Sequence, residues 1–216
     1  MTNYYYIIAS LPAISQDWKF GDRTAEGLIG EIKALSTQRD LDTIGLVESG
    51  FDADSLNEDF YRKALSHRTP FIREFYTFDL NVRNAKARFL NRALGREAEK
   101  DVILLREDGQ EQPADFPEAA RIEAILQDKD ILSRERAIDT LYWNRLDEMT
   151  VGHYFDMDVI LAFILKLHII DRWHLLDEGT GREMFRKLVE EVTATFKGVE
   201  YDPKGNGTTD NNIKEE

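Results

Sequence analysis

One long helical pattern, from residue 69 to residue 95, sets the fold class of this chain. Thr69 and Pro70 form a helix start, because threonine caps the first turn and proline fits the first helical position. Gly95 marks the end, since glycine readily adopts the left-handed conformation that follows many helices. The pattern predicts a helix of about 25 residues, about twice the usual length, as the spine of a mainly α protein. Its apolar residues recur at steps of four and three: Phe71, Phe75, Phe78, Val82, Ala85 and Phe89.

Other periodic segments complete a predicted helical bundle of about six or seven helices. A capping box of Ser55 and Glu58 opens one of them, and Ser133 is the predicted cap of another. The segment 156–173 is apolar nearly all round, which is typical of a helix covered by others on every side. Besides the spine, the predicted helices are 24–35, 55–65, 118–126, 133–149, 156–173 and 180–197.

The N-terminal segment from Tyr4 to Ala9 favours a minor strand, because tyrosine and isoleucine are common in strands. A helical start is the alternative. Residues 102–105 fit either a short strand or a connector, and residues 107–117, with two prolines, a glycine and several acids, predict an exposed loop. We therefore predict two helical units, 1–106 and 118–197, followed by a disordered tail at 198–216.

A short internal similarity favours two similar helical units. Phe78-Asp79-Leu80-Asn81-Val82 and Phe155-Asp156-Met157-Asp158-Val159 match in residue type at an offset of 77 positions. A duplicated helical unit would explain the match. The alternative is that two buried helical segments match by chance.

Composition excludes several classes of function. The chain has no cysteine, so it has neither a disulfide framework nor a thiolate metal site, and the cytoplasm is the default compartment. A net charge of −13 disfavours binding to nucleic acid or to an anionic membrane surface. The most apolar segment, 159–170, is too short for the roughly 20 residues of a membrane span, so direct membrane insertion is not expected.

The sequence offers one weak candidate for a metal site. His153, Asp156 and Asp158 lie close together, and a hydrolytic metal ion needs about three such ligands. Helix capping by Asp156 and a favourable dipole at Asp158 explain the two acids without a metal. We therefore predict no catalytic, cofactor-binding or metal-binding residues and no enzyme. A metal-dependent hydrolase stays as a hypothesis, which predicts about one equivalent of metal and its loss on Asp158→Ala.

Basic residues concentrate on the spine. Residues 68–96 contain seven arginines and lysines and only two acids. The local net charge of this segment is therefore +5, although the whole chain is acidic. Arg83, Arg88, Arg92 and Arg96 are the candidate partner-binding residues, because cations that share a helix flank can bind an acidic partner. The alternative is that acids elsewhere in the chain pair with them.

Three segments carry a family resemblance. The opening Tyr4-Tyr5-Tyr6-Ile7-Ile8-Ala9-Ser10-Leu11-Pro12, the stretch from Phe78 to Arg96 and the stretch from Phe155 to Trp173 resemble an uncharacterised bacterial family encoded among V-type ATPase genes. Members of that family occupy the place of the C subunit. The middle stretch is also similar to the C-subunit family itself, whose eukaryotic members are called the d subunit.

The resemblance implies a function without chemistry. The C-subunit proteins are all-helical funnels that seat the soluble rotor stalk on the membrane ring and transmit torque. The chain is therefore expected to be a non-catalytic connector, without cofactor, whose partners are stalk and ring proteins and which lies peripheral to the inner face of the cell membrane. The family's usual members have three helical repeats, whereas this chain has room for about two. The alternative is a free helical adaptor or regulator that binds an acidic partner through the basic helix 70–96.

Overall fold

The computed structural model describes residues 4–105 and 116–175, and within those ranges the chain forms eight helices and no strand. The prediction of a mainly α bundle is therefore confirmed. The predicted helix 180–197 and the predicted tail 198–216 lie outside the described residues, as does most of the predicted loop 107–117. The helices are α1 (Tyr4–Ser10), α2 (Ala25–Ala34), α3 (Gln38–Ser49), α4 (Glu58–Leu65), α5 (Pro70–Ala93), α6 (Ala119–Leu126), α7 (Ile131–Met149) and α8 (Met157–Leu175).

The N-terminal segment is helical, so the predicted strand is wrong. In α1 only Ile7 is fully buried, while Tyr5 and Tyr6 face outward, and the Tyr4 hydroxyl donates a hydrogen bond to Asp40 Oδ1 at 2.8 Å. The strand preference of tyrosine and isoleucine depends on a neighbouring strand against which they pack. None exists among the described residues, so a short helix that buries one isoleucine forms instead.

Two early helices begin at caps that only partly agree with the predicted ones. Thr24 caps α2 as predicted, accepting a hydrogen bond from the Gly27 amide at 3.0 Å. Helix α4 is capped by Asn57, which accepts from the Phe60 amide, and the predicted capping box at Ser55 is wrong. The Ser55 hydroxyl donates to Asp52 instead. Asparagine two residues later is an equally good cap and lies next to the first apolar turn.

Helix α3 is absent from the helices predicted from the sequence, although Thr37 and Asp40 form a reciprocal capping box at its start. The Asp40 side chain is buried there and also accepts a hydrogen bond from the Tyr4 hydroxyl. This capping box has aspartate in place of glutamate, and the apolar residues behind it are interrupted by acids, so its signal is weak. The structure thus adds a helix between the first two predicted ones.

The spine helix α5 is confirmed, with Pro70 at its first position and Gly95 at a φ of +65° after its end. Two buried asparagines of α5 form hydrogen bonds with the backbone of the segment that follows the helix. The Asn84 side chain exchanges two hydrogen bonds with the backbone of Ile103, and the Asn91 amide donates to the carbonyls of Ala98 and Lys100. These bonds satisfy backbone groups of a segment that has no ladder of its own, so residues 102–105 form a connector.

Helix α7 begins two residues earlier than predicted, and Asp130 rather than Ser133 is its cap. Asp130 accepts from the Leu132 amide at 3.1 Å and from the Ser133 hydroxyl at 2.6 Å. Helix α8 is buried along most of its length, from Ile160 to Ile170, as its apolar sequence predicts.

Two hydrophobic clusters form the core of the described helices. The larger contains residues from α1 to α5, α7 and α8, and the smaller contains residues of α5, α6 and α7. Residues from both predicted units, 1–106 and 118–197, therefore share these clusters. Contacts group residues 1–172 into one compact unit and residues 173–216 into another; of the second unit only the end of α8 is described.

Candidate partner-binding surfaces and a charged cluster

Acids of the chain itself face three of the four candidate arginines on α5. Arg83 binds Asp79 at 2.9 Å, Arg88 binds Glu99 through two hydrogen bonds of 2.9 Å, and Arg92 binds Glu123 at 3.1 Å. The alternative explanation of the basic stretch, internal pairing, thus applies to these three. Arg96 is exposed, and its side chain meets no acid in the described part of the chain. The pairs of Arg88 and Arg92 are solvent-exposed, and such pairs contribute only about 0–1 kcal/mol each.

Asp79 is the centre of a buried polar network rather than a partner-binding group. Its carboxylate is 5% exposed and accepts hydrogen bonds from the Tyr61 hydroxyl at 2.5 Å and the Tyr142 hydroxyl at 2.8 Å, in addition to Arg83. Burial and the neighbouring carboxylate raise the pKa of both tyrosines, so they stay protonated and donate. The network ties α4, α5 and α7 together.

The segment that matched Asp79 in the internal similarity lies in a different structural position. Asp79 is in the middle of α5, whereas Asp156 immediately precedes α8 and accepts a hydrogen bond from the Val159 amide. One aspartate is a buried acceptor of side chains and the other a helix cap. The matched residues therefore do not perform equivalent roles in two repeats.

Contacts between α5 and α7 show that the two long helices run antiparallel. Lys86 binds Glu135 at 3.1 Å, the rings of Phe78 and Tyr142 are 5.4 Å apart, and Glu74 binds Arg145 at 2.5 Å. From each of these contacts to the next, the residue number on α5 falls and the residue number on α7 rises by a similar amount. The end of α5 therefore lies beside the beginning of α7, and the beginning of α5 lies beside the end of α7.

An exposed apolar surface lies where the end of α5 is beside the beginning of α7. Leu90 on the last turn of α5 is 49% exposed, and Leu94 directly after the helix is 63% exposed. Ile131 and Leu132 at the start of α7 are 63% and 60% exposed. We call these four residues the leucine end. Leucine and isoleucine cost free energy in water, so four of them exposed at one end of a helix pair make that end a candidate binding surface. The exposed Arg96 lies two residues after Leu94 in the sequence.

A second exposed apolar surface lies where α7 ends and α8 begins. Val151, Tyr154 and Phe155 are strongly exposed there, and the Tyr5 ring of α1 packs on Phe155 at a centroid distance of 4.8 Å. We call these four residues the aromatic end. By the antiparallel register it is at the opposite end of the α5–α7 pair from the leucine end. The 24 residues of α5 separate the two levels by about 35 Å, at about 1.5 Å per residue.

The aromatic end contains the weak metal candidate of the sequence. The possible ligand atoms of His153, Asp156 and Asp158 all lie within 4.8 Å of one another. His153 Nδ1 is 2.6 Å from Asp156 Oδ2 and 3.8 Å from Asp158 Oδ2. The hydrogen bond to Asp156 raises the pKa of His153, and burial together with Asp156 raises the pKa of Asp158.

An open cleft of about 340 Å³ lies between α5, α7 and the start of α6. Its wall contains Arg145, whose guanidinium binds Glu74 and stands 5.9 Å from the centre of the Phe78 ring. Among the described residues of this wall, the titratable groups are the two glutamates and the arginine. The wall residues are Glu74, Thr77, Phe78, Asn81, Phe116, Pro117, Glu118 and Arg145.

Comparison with known proteins gives a family. A family model described as protein of unknown function, DUF2764, matches residues 48–195, about two thirds of the chain. The chain belongs to the DUF2764 family. No curated protein and no solved structure matches it.

The part of the chain that matches the DUF2764 family includes both long helices, the leucine end and all of the aromatic end except Tyr5. It also includes the Asp79 network and the charged cluster at His153. Helices α1 and α2 lie outside the match, as does most of α3. Among the described helices, none combines the length and the apolar character that crossing a membrane requires.

Proposed function

We propose that this chain is a non-catalytic connector of a bacterial V-type ATPase, which links the soluble rotor stalk to the membrane ring. The observation that carries the proposal is the pair of exposed apolar surfaces at opposite ends of the antiparallel α5–α7 pair. A connector needs two docking surfaces held at a fixed separation. Leucine and aromatic side chains supply the apolar area that protein interfaces bury at their centres.

Stiffness between the ends is the second requirement, and the described contacts supply it. The Asp79 network joins α4, α5 and α7 below the surface, and Lys86 with Glu135 joins α5 to α7 at one flank. Arg172 of α8 extends the same ion-pair chain to Glu135 at 3.7 Å. Polar networks that are fully satisfied hold helices in a single arrangement, which favours transmission of torque over deformation.

The arginines of α5 set the register of a partner in this proposal. Arg96 is available directly, and Arg88 and Arg92 exchange their exposed glutamates for acids of a neighbouring protein at little cost. Arg83 is committed to Asp79 and is a poorer candidate. Charges at the rim of an apolar interface mainly select and orient the partner.

The resemblance to the C-subunit family supports the same assignment. Under it the chain is cytoplasmic, is peripheral to the inner face of the cell membrane through other proteins of the complex, and carries no cofactor. The net charge of −13 agrees with partners that are proteins rather than nucleic acids or lipids.

The test is affinity purification of the tagged chain from detergent-solubilised native membranes, with mass spectrometry of the proteins that accompany it. We expect stalk and ring proteins in a fixed ratio. A Leu90→Glu, Leu94→Glu double variant should lose one set of them, and Val151→Glu should lose the other. Leu35→Glu is the matched control, because it changes an exposed leucine outside both ends. A wild-type chain that purifies alone refutes the proposal.

A free helical adaptor is the second candidate, and the exposed Arg96 beside the leucine end favours it. Such an adaptor binds an acidic helix through residues 70–96 with no ATPase involved. It predicts that Arg96→Glu and the Leu90, Leu94 variant lose the same soluble partner, while Val151→Glu has no effect. If variants at both ends lose partners, the chain is the connector; if only the variants at the leucine end and at Arg96 do, it is the adaptor.

A further inference from the structure

The charged cluster at the start of α8 is arranged as a set of metal ligands of two chemical kinds. One imidazole nitrogen, His153 Nδ1, and two carboxylate oxygens, Oδ2 of Asp156 and Oδ2 of Asp158, face one another. Imidazole with carboxylates is a donor set that suits zinc and other first-row divalent ions. Ligand atoms around one such ion lie about 3–4 Å apart when each is about 2.1 Å from it. The separation of 3.8 Å lies within that range, and the 2.6 Å hydrogen bond between His153 and Asp156 needs to lengthen by only about half an ångström to admit an ion.

Helix capping by Asp156 does not compete with metal binding, because the two roles use different oxygens. Oδ1 accepts the hydrogen bond from the Val159 amide at 3.3 Å, and Oδ2 faces His153. The cap therefore fixes the carboxylate with one oxygen directed at the cluster. Hydrogen bonds of this outer kind orient ligands in metal sites.

Asp158 gives an independent indication that the cluster favours a cation. Its side chain is only 23% exposed, yet it accepts no hydrogen bond from any described residue, and its nearest basic atom is His153 Nδ1 at 3.8 Å. Partial burial removes some of the water that solvates this carboxylate, which costs free energy. A divalent ion bound by Asp156 and Asp158 offsets that cost.

The positive charge of the helix dipole is too small to neutralise the two aspartates. The beginning of α8 carries about half a positive charge, whereas the two aspartates together carry two negative charges. A divalent ion neutralises the pair in full.

We propose that His153, Asp156 and Asp158 bind one divalent metal ion of the zinc class at the aromatic end. Three protein ligands leave at least one position of a tetrahedral ion for water or for a donor atom of another protein. Tyr154 and Phe155, which lie between the ligands in the sequence, are exposed on the same surface. The site is thus suited to fasten a partner at this end, and its existence does not depend on the proposed connector function.

The experiment is isothermal titration of the isolated full-length chain with zinc chloride at pH 7.5, with magnesium chloride as the comparison ion. Without cysteine, the chain has no thiolate to compete for zinc. We expect one equivalent of zinc and much weaker binding of magnesium, because imidazole suits zinc whereas carboxylate and water suit magnesium. His153→Ala and Asp158→Asn should each weaken zinc binding at least about tenfold, because loss of even an outer hydrogen-bond partner of a ligand typically costs about 10–100-fold.

Two control variants identify the site. His174→Ala removes another exposed histidine and Asp42→Asn another exposed aspartate, and each should change the affinity less than about twofold. Circular dichroism at 222 nm confirms that every variant is folded. Absence of saturable binding to the wild-type chain overturns the proposal, and so does zinc binding that is unchanged in both His153→Ala and Asp158→Asn. These outcomes leave the connector proposal intact, since that is tested by co-purification.

Discussion

Removal of the Asp79 carboxylate should destabilise the protein more than removal of any exposed acid. The carboxylate accepts hydrogen bonds from Tyr61, Tyr142 and Arg83, and it is almost fully buried. Asp79→Ala leaves the Tyr61 hydroxyl, itself only 1% exposed, without an acceptor. An unsatisfied buried donor costs about 1–3 kcal/mol.

The total follows from the exposure of each donor. Tyr61 contributes the full cost, Tyr142 is half-buried and contributes a smaller one, and Arg83 is 48% exposed, so water replaces much of its lost partner. We expect Asp79→Ala to lower the free energy of unfolding by about 3 kcal/mol, at the lower limit for breaking a buried charged pair. Asp79→Asn keeps one acceptor oxygen and should cost about 1–2 kcal/mol.

The assay is urea denaturation followed by tryptophan fluorescence and circular dichroism, with Asp42→Ala as the matched control. Asp42 lies exposed on α3, so its loss should change the free energy of unfolding by less than about 0.5 kcal/mol. The reasoning is refuted if Asp79→Ala costs no more than Asp42→Ala. It is also refuted if Asp79→Asn and Asp79→Ala cost the same, because the hydrogen bonds would then carry none of the effect.

Two further predictions concern packing and pH. In Gly50→Ala the new methyl group would overlap the Tyr76 hydroxyl, so this change should cost about 1–3 kcal/mol in urea denaturation. Gly45→Ala, in the preceding helix α3 but with open space around it, should be neutral or stabilising by up to about 1 kcal/mol, and equal effects would contradict the packing argument. Burial lowers the pKa of His168, so stability should fall as the pH drops below about 6.5, where the unfolded chain takes up a proton and the folded chain resists it. Unfolding measured at pH 7.5 and 5.5 should show a smaller loss in His168→Met than in the wild type, and an equal loss would contradict this cause.

Local periodicity in the sequence predicts much of the helical fold. The alternation of threes and fours from Phe71 to Phe89 is a property of neighbouring residues, and it predicts α5 to within two residues of its observed bounds. The apolar run that becomes α8 is predicted for the same reason. Caps are harder to predict, because several residues near a helix start can serve and packing selects among them. Asn57 and Asp130 are selected over Ser55 and Ser133.

Segments with conflicting local preferences are decided by tertiary contacts. The tyrosines and isoleucines of residues 4–9 favour a strand locally, but burial of Ile7 and the bond from Tyr4 to Asp40 select a helix. The arginines of α5 form a basic stripe in the sequence, and only the fold brings Glu99 and Glu123 to them. A spacing pattern contains no information about which distant acid will face a given cation.

The sequence by itself determined that the chain is mainly α, where its long helices run, and that His153, Asp156 and Asp158 are close along the chain. Only the tertiary structure decided that α5 and α7 run antiparallel, so that exposed leucines and exposed aromatics occupy opposite ends. It also decided that Asp79 is a buried acceptor and Asp156 a cap, although the residues around them match. The physical reason is that helix periodicity is set by neighbouring residues, whereas charge pairing, burial and register depend on residues far apart in the sequence.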